Sequence, residues 1–222
     1  MLFRSLESGL VGHWTFDGPD VDIGANQLTD GSGQGNTAST TGMDSATSTT
    51  FGVIGQAFEL DGTDDYVGVP NGTFPTGDFT AAAWVYLDDN TDEMLFASLQ
   101  NCCGSGQEFD MYISGADIRI ATNGTTRLTT SDNWLTTGTW HHIVATRAGS
   151  NITLYTNAAV KDTGSDGGAL NFQGCILLIG TDPDSGCTGS LGNYLDGTVD
   201  DVRIYNRALS KDEISRLYEL GR

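Results

Sequence analysis

The sequence has no run of eighteen apolar residues, so no segment is long and oily enough to cross a bilayer as a helix. It is also poor in positive charge: 10 Lys and Arg stand against 29 Asp and Glu, a formal net charge of −19. Gripping the phosphate backbone of nucleic acid needs the opposite balance, and anionic membrane surfaces repel such a chain for the same reason. Only three histidines occur, and no Cys/His spacing matches a zinc site. A G-x-S-x-G elbow is missing, which removes the α/β-hydrolase class. The opening MLFRSLESG is too short and polar for a signal peptide, so either an export signal has been cut off or the domain belongs to a larger protein.

The chain does have 30 glycines, with abundant Thr, Ser, Asn and Asp, a composition that resembles secreted β-proteins and points to an extracellular or cell-surface setting. With 222 residues and 38% apolar content it can bury a sizeable core. One domain over residues 1–222 is expected, with residues 1–9 as a flexible tail. Four cysteines allow three pairings. Cys175 and Cys187 suit a disulfide closing a loop between strands. Cys102 and Cys103 are adjacent in QNCCGSGQ and cannot join each other without a strained ring. The acidic balance favours hard cations such as calcium, which prefer carboxylate and carbonyl oxygen.

Short β-like runs alternate with Gly/Asn/Asp/Ser/Thr clusters along most of the chain, the pattern of a sandwich or jelly roll. Expected strands include Gly12–Phe16, Tyr66–Val69, Phe79–Tyr86, Glu93–Leu99, Phe109–Ile113, His141–Arg147, Asn151–Thr156 and Gly197–Tyr205. Ser114-Gly115, Asn123-Gly124 and Gly149-Ser150 read as hairpin turns. Residues 20–50 show little periodicity and are expected to form a long surface loop. Ser210 followed by Glu213 is a capping box, and Ile214, Leu217 and Tyr218 recur at helical spacing. A short helix therefore closes the chain, expected to cap an end or edge of the sandwich. In TVDDVRIY, strict alternation puts Asp200 on the inward side with Val202 and Ile204, where an unpaired carboxylate is costly. It leaves Asp201 to solvent or a nearby Arg.

The segments GLVGHWTFDG, FELDGTDDYVGVP and LDGTVDDVRIYNRALSKDEI together resemble the LamG-like jelly-roll family of the concanavalin A-like lectin and glucanase superfamily. TGTWHHIVATR and the following NITLYTNAAV are similar to the family's central strands. The resemblance covers nearly the whole chain and implies an all-β, two-sheet antiparallel jelly-roll sandwich with a short C-terminal helix. In several relatives a calcium ion sits where the first and last strands meet. Carried onto this chain, its ligands are Asp17 in TFDG, Asp30 in LTDGSGQGN and Asp200 in TVDD. The Gly-rich turn DGSGQGN independently offers a carboxylate and several carbonyls to a cation. Asp61, Asp64 and Asp65 in LDGTDDY read instead as a tight turn.

The fold hosts lectins, adhesion modules and glycosidases, so it does not fix the function. Glu108 and Asp110 in EFDMYIS match only part of the family's E-x-D-x-x-E glycosidase run: Tyr112 and Ile113 stand where the acid belongs, and retaining hydrolysis needs a second carboxyl about 5–5.5 Å away. A thiol hydrolase would need Cys102 or Cys103 beside His141 or His142. Paired histidines on a strand point to opposite faces, and with His13 they read as structural. The expectation is therefore a calcium-stabilised extracellular carbohydrate-binding or adhesion module, monomeric or part of a larger surface protein, whose partner is a glycan or cell-surface polymer. Tyr112, Trp134 and Tyr194 are the candidate sugar-stacking residues, while Trp14, Trp84 and Trp140 are assigned to the core. The alternative is a glycosidase or esterase using Glu108, Asp110, Cys102 and His142.

Overall fold

The computed structural model describes residues 4–44, 47–89, 91–99, 107–170, 176–183 and 191–222. Two antiparallel sheets of eight and nine strands pack face to face. In the eight-stranded sheet the order is Ala159–Ser165, Asn151–Thr156, Trp140–Ala148, Phe79–Leu87, Asp196–Tyr205, Gln56–Asp61, Thr49–Phe51, with Leu10–Trp14 also against Asp196–Tyr205. The other sheet runs from Thr125–Thr129 through Gln107–Ser114, Glu93–Leu99 and Tyr66–Val69 to the short strands Ala38–Thr41, Gln27–Leu28 and Val21–Asp22. Residues 20–50 thus depart from the expected long loop. Their strands are two to four residues long and mostly polar, too short to show a period, yet they bury Leu28 and Ala38.

Alternation along the long strands sends one set of side chains between the sheets. Ala81, Ala83, Val85 and Leu87 face inward from one sheet, and Phe109, Met111 and Ile113 from the other. Phe74, Phe79 and Phe109 form a ring cluster with centroids 4.9–5.0 Å apart, each buried ring contributing about 1.5–3 kcal/mol. Asn123 and Gly124 both have positive φ, as a type I′ hairpin requires, whereas the turn after Gln107–Ser114 falls on Gly115 and Ala116, one residue beyond the expected pair.

The helix Lys211–Leu220 has both halves of the Ser210/Glu213 capping box. It caps neither an end nor an edge. Ile214 and Leu217 lie on the outer face of the eight-stranded sheet, against Ala82, Val144 and Tyr205. Leu6, within a helical turn Arg4–Glu7, joins the same cluster.

The strand Asp196–Tyr205 keeps Phe79–Leu87 on one side but changes partner on the other. Residues 196–199 pair with Gln56–Asp61, and 202–205 pair with Leu10–Trp14. A bulge marks the change: the register shifts between Asp200 and Arg203, and Asp201 has φ +47°. Aspartate tolerates this left-handed conformation better than most residues. The extra residue resets the alternation. Val199, Val202 and Ile204 face the core, while Asp200, opposite Trp84, shares the outer side with Arg203. Strict alternation would place Asp200 with Val202, and the bulge is the reason it is not there.

Of the two partners expected for Asp201, solvent and a nearby Arg, it finds the Arg, with His13 besides. It is 5% exposed and receives Nε and Nη2 of Arg203 at 2.9–3.1 Å and Nε2 of His13 at 2.7 Å. Burial would raise its carboxyl, but the His13 hydrogen bond and Arg203 hold it down at about 2. Replacing Asp201 by Ala leaves the Arg203 guanidinium buried without its counter-ion, a loss of about 3–5 kcal/mol by analogy with other broken buried pairs. Urea unfolding checks this; a loss below about 1 kcal/mol would class the pair with solvent-screened surface bridges.

Candidate functional site

On the outer face of the eight-stranded sheet, one cross-strand row reads Trp140, Tyr86, Thr198, Glu59, each the direct partner of the next. Together with Thr50, Phe51 and Asp88, this row lines a cleft of about 250 Å³. The Tyr86 and Trp140 rings lie 5.7 Å apart, tilted by 60°, and both are half-buried. Phe51, on the edge strand, is 92% exposed. Glu59 and Asp88 are exposed carboxylates, and among the described residues no Lys or Arg lines the cleft. Aromatic faces next to hydrogen-bond acceptors suit a ligand with apolar C–H faces and hydroxyl edges.

The same outer face carries Trp84 and His142 one step along, but there the helix covers it. Trp84 stacks on Tyr218 at 5.5 Å and lies 5.0 Å from His142. Trp84 and Trp14 are therefore buried as expected, at 3% and 0% exposure, whereas Trp140 lines a surface cleft and not the core. Alternation alone gives Trp84 and Tyr86 one face; only the extent of the helix separates them.

The aromatic residues expected to stack on sugar occupy separate places. Tyr112 lies on the outer face of the nine-stranded sheet, under the Arg119 guanidinium at 4.4 Å. Trp134 donates its indole N–H to Thr130 Oγ1 at 3.2 Å and packs between Lys161 Nζ and the edge of His141. Tyr194 is half-buried near Tyr66 and Asp64.

The residues of the hydrolase alternative are also dispersed. Asp110 sits on the outer face of the nine-stranded sheet, opposite in parity to the inward Phe109 and Met111. Burial pushes its carboxyl to about 6 despite Arg119 and the Ala121 amide. His142 lies on the outer face of the other sheet, 2% exposed, where burial lowers it to about 4. A sandwich core separates the two. Cys102, Cys103, Cys175, Cys187 and the Glu108 side chain lie outside the described residues.

Asp17, Asp30 and Asp200 do not share a centre. Asp30 Oδ1 accepts the His13 and Ser32 amides, and Oδ2 accepts the Ser32 hydroxyl and the Asn36 amide, at 2.7–3.0 Å. Four donors fill a carboxylate's lone pairs. Burial would raise Asp30, but these bonds outweigh it and hold it below its ordinary value. Asp17 Oδ1 accepts the Gln56 amide and Asp200 Oδ2 the Ile54 amide, both at 2.8 Å, so these two clamp the tip of one hairpin. A Cβ at Gly52 would strike Asp200, and one at Gly55, with φ +70°, would strike Asp17. The three residues thus do not fit a common ion in this arrangement. Among the described residues, the acidic oxygens that come within 4.8 Å of one another as a group of three belong to Asp61, Asp64 and Asp65.

The match to the Laminin_G_3 family, described as the concanavalin A-like lectin/glucanases superfamily, spans residues 61–215, and the chain belongs to that family. No curated protein matches the sequence. Among solved structures, domain 4 of AbnA, a GH43 extracellular arabinanase from Geobacillus stearothermophilus in complex with arabinotriose, superposes with a TM-score of 0.70 at 18% identity, covering 97% of this chain and 99% of that one. The binding domain of Paraclostridial Mosquitocidal Protein 1 gives 0.70 at 17% identity, covering 96% of this chain and 52% of that one. The receptor-binding domain of the botulinum neurotoxin C/D mosaic serotype gives 0.67 at 15%, covering 95% of this chain and 51% of that one. This chain thus spans about half the length of the toxin chains. At these identities the likeness is one of fold. No helix among the described residues is long and apolar enough to cross a membrane.

Asp200 supplies a test of the clamp. Burial, with a smaller push from the Asp201 charge, raises its carboxyl to about 7 against the pull of the Ile54 amide. Unfolded, it releases its proton near pH ~4. The folded chain therefore holds a proton that the unfolded chain has lost, and its contribution to stability is full below pH ~4 and vanishes as pH rises through about 7. Asp200→Asn is expected to flatten the fall in melting temperature over that window, measured in chelator; an unchanged slope would contradict the placement.

Proposed function

We propose that this protein is a carbohydrate-binding module whose sugar site is the cleft of Trp140, Tyr86, Phe51, Thr198, Glu59 and Asp88. The observation that carries this is the Tyr86–Trp140 pair, two rings left open on a sheet face whose neighbouring aromatic, Trp84, is roofed by the helix. Tilted rings present two apolar planes to the C–H face of a pyranose or furanose. The carboxylates of Glu59 and Asp88 accept hydrogen bonds from sugar hydroxyls, and charge-assisted bonds of this kind are stronger than neutral ones. Because the lining is acidic within a chain of net charge −19, the favoured ligands are neutral glycans, not sialylated or sulfated ones. Membership of a lectin-like superfamily and likeness to an arabinanase domain in complex with arabinotriose support the same assignment. An extracellular setting, with a glycan or surface polymer as partner, accords with the composition and with the extracellular arabinanase neighbour.

Calorimetric titration with a panel of neutral oligosaccharides, arabinotriose included, tests the site. Trp140→Ala should lose about 2 kcal/mol of binding, roughly thirtyfold in Kd, as buried aromatic anchors do. Tyr112→Ala, on the other outer face, should bind as wild type. Retained affinity in the Trp140 variant, or loss in the Tyr112 variant, would place the site elsewhere.

A further inference from the structure

The lining of the sugar cleft comes from five strands that are consecutive in the sheet: Trp140–Ala148, Phe79–Leu87, Asp196–Tyr205, Gln56–Asp61 and Thr49–Phe51. Four steps of about 4.8 Å separate the first from the last, so the cleft runs about 19 Å across the strands. Its two ends are aromatic and its middle is polar. Trp140 and Tyr86 stand at one end and Phe51 at the other, with Thr198, Glu59 and Thr50 between them. The helix that roofs Trp84 runs along one flank, and Asp88 stands on the other. Among the described residues neither end has a wall. Thr49–Phe51 is the last strand of the sheet, and Phe51 is 92% exposed. On the opposite side, Asn151–Thr156 stops opposite Ile143, before the level of Trp140, and turns back through Asn157 and Ala158. No strand among the described residues therefore flanks Trp140 on that side, and residues 136–139, which lead into it, are exposed.

We propose that the cleft holds an internal segment of a linear neutral polysaccharide, laid across the five strands, and not a single sugar or a chain end. This rests on the sugar-site reading above and specifies its ligand. A glycosidic repeat is close to one strand step, so the length of the cleft accepts about four rings. A site for a chain end needs a surface that stops the last ring, and both ends here let the chain run on. Trp140 with Tyr86, and Phe51 at the far end, take the C–H faces of the outer rings. Thr198, Glu59 and Thr50 meet the hydroxyls of the inner ones. Phe51 is then a platform that only a ligand of several rings reaches. A single ring resting on Trp140 and Tyr86 does not meet it.

Isothermal calorimetry on the full chain tests this, with linear arabinan, xylan, β-glucan and mannan and with their oligomers of one to six rings. In the series that binds, affinity should climb roughly tenfold or more between two rings and four, then level off. Phe51→Ala should weaken the longer oligomers by roughly tenfold, the worth of one aromatic contact, and leave the disaccharide as in wild type. Trp140→Ala should weaken every length. Phe51 is exposed, so its loss leaves the fold intact, which circular dichroism checks. On the polymer, more than two protein molecules should bind per chain, exceeding the number of chain ends. Affinity that stops rising at one or two rings, full affinity for long oligomers in Phe51→Ala, or a stoichiometry limited to chain ends would each overturn the proposal, while leaving a Trp140-dependent sugar site standing. Binding that ignores Trp140, or no binding by any series, would remove the sugar site itself and this inference with it.

Discussion

The architecture depends on one strand changing neighbours partway along. Asp196–Tyr205 serves Gln56–Asp61 with its first half and Leu10–Trp14 with its second. The seam between them is closed by two carboxylates at the bulge. Asp200 reaches the hairpin that leads into one neighbour, through the Ile54 amide, and Asp201 reaches His13 in the other. Without the bulge, the alternation that buries Val199 would turn Val202 outward. With it, both are buried, and Thr198 stays on the outer face between Tyr86 and Glu59. The seam thus fixes the residue that floors the cleft.

The second determinant of the cleft is the length of the C-terminal helix. Bulky aromatic side chains alternate outward along Phe79–Leu87, and an uncovered row of them would be an aggregation hazard. The helix Lys211–Leu220 buries Ile214 and Leu217 there and stacks Tyr218 on Trp84. It stops short of Tyr86 and Trp140. What remains open is a two-ring patch flanked by carboxylates, a size and polarity suited to a narrow polar ligand and too small for a protein interface.

Much of the fold was legible because long strands carry their own period. Tyr66–Val69, Glu93–Leu99 and Asn151–Thr156 match their expected limits, and Ser210 and Glu213 announced the helix. The LDGTVDD and TWHH segments pointed to the superfamily that the family match bears out. Three things were not legible, each for a physical reason. Two-residue strands such as Gln27–Leu28 are too short to have a period. The bulge at Asp201 inverts parity without a glycine to signal it. The exposure of Trp140 depends on where a helix much later in the chain comes to rest, which is a tertiary fact. The same holds for Asp30, whose saturation by four donors follows from how the 30–36 turn folds back on His13.

The most direct test of the central claim uses the 4 tryptophans as reporters. Their indole N–H resonances can be followed by heteronuclear NMR while a neutral oligosaccharide is titrated in. The Trp140 signal is predicted to shift with saturating ligand, while those of Trp14, Trp84 and Trp134, sealed in the core, roofed by the helix or bonded to Thr130, stay in place. Ligand-dependent shifts at Trp134 with Trp140 unmoved would contradict the account.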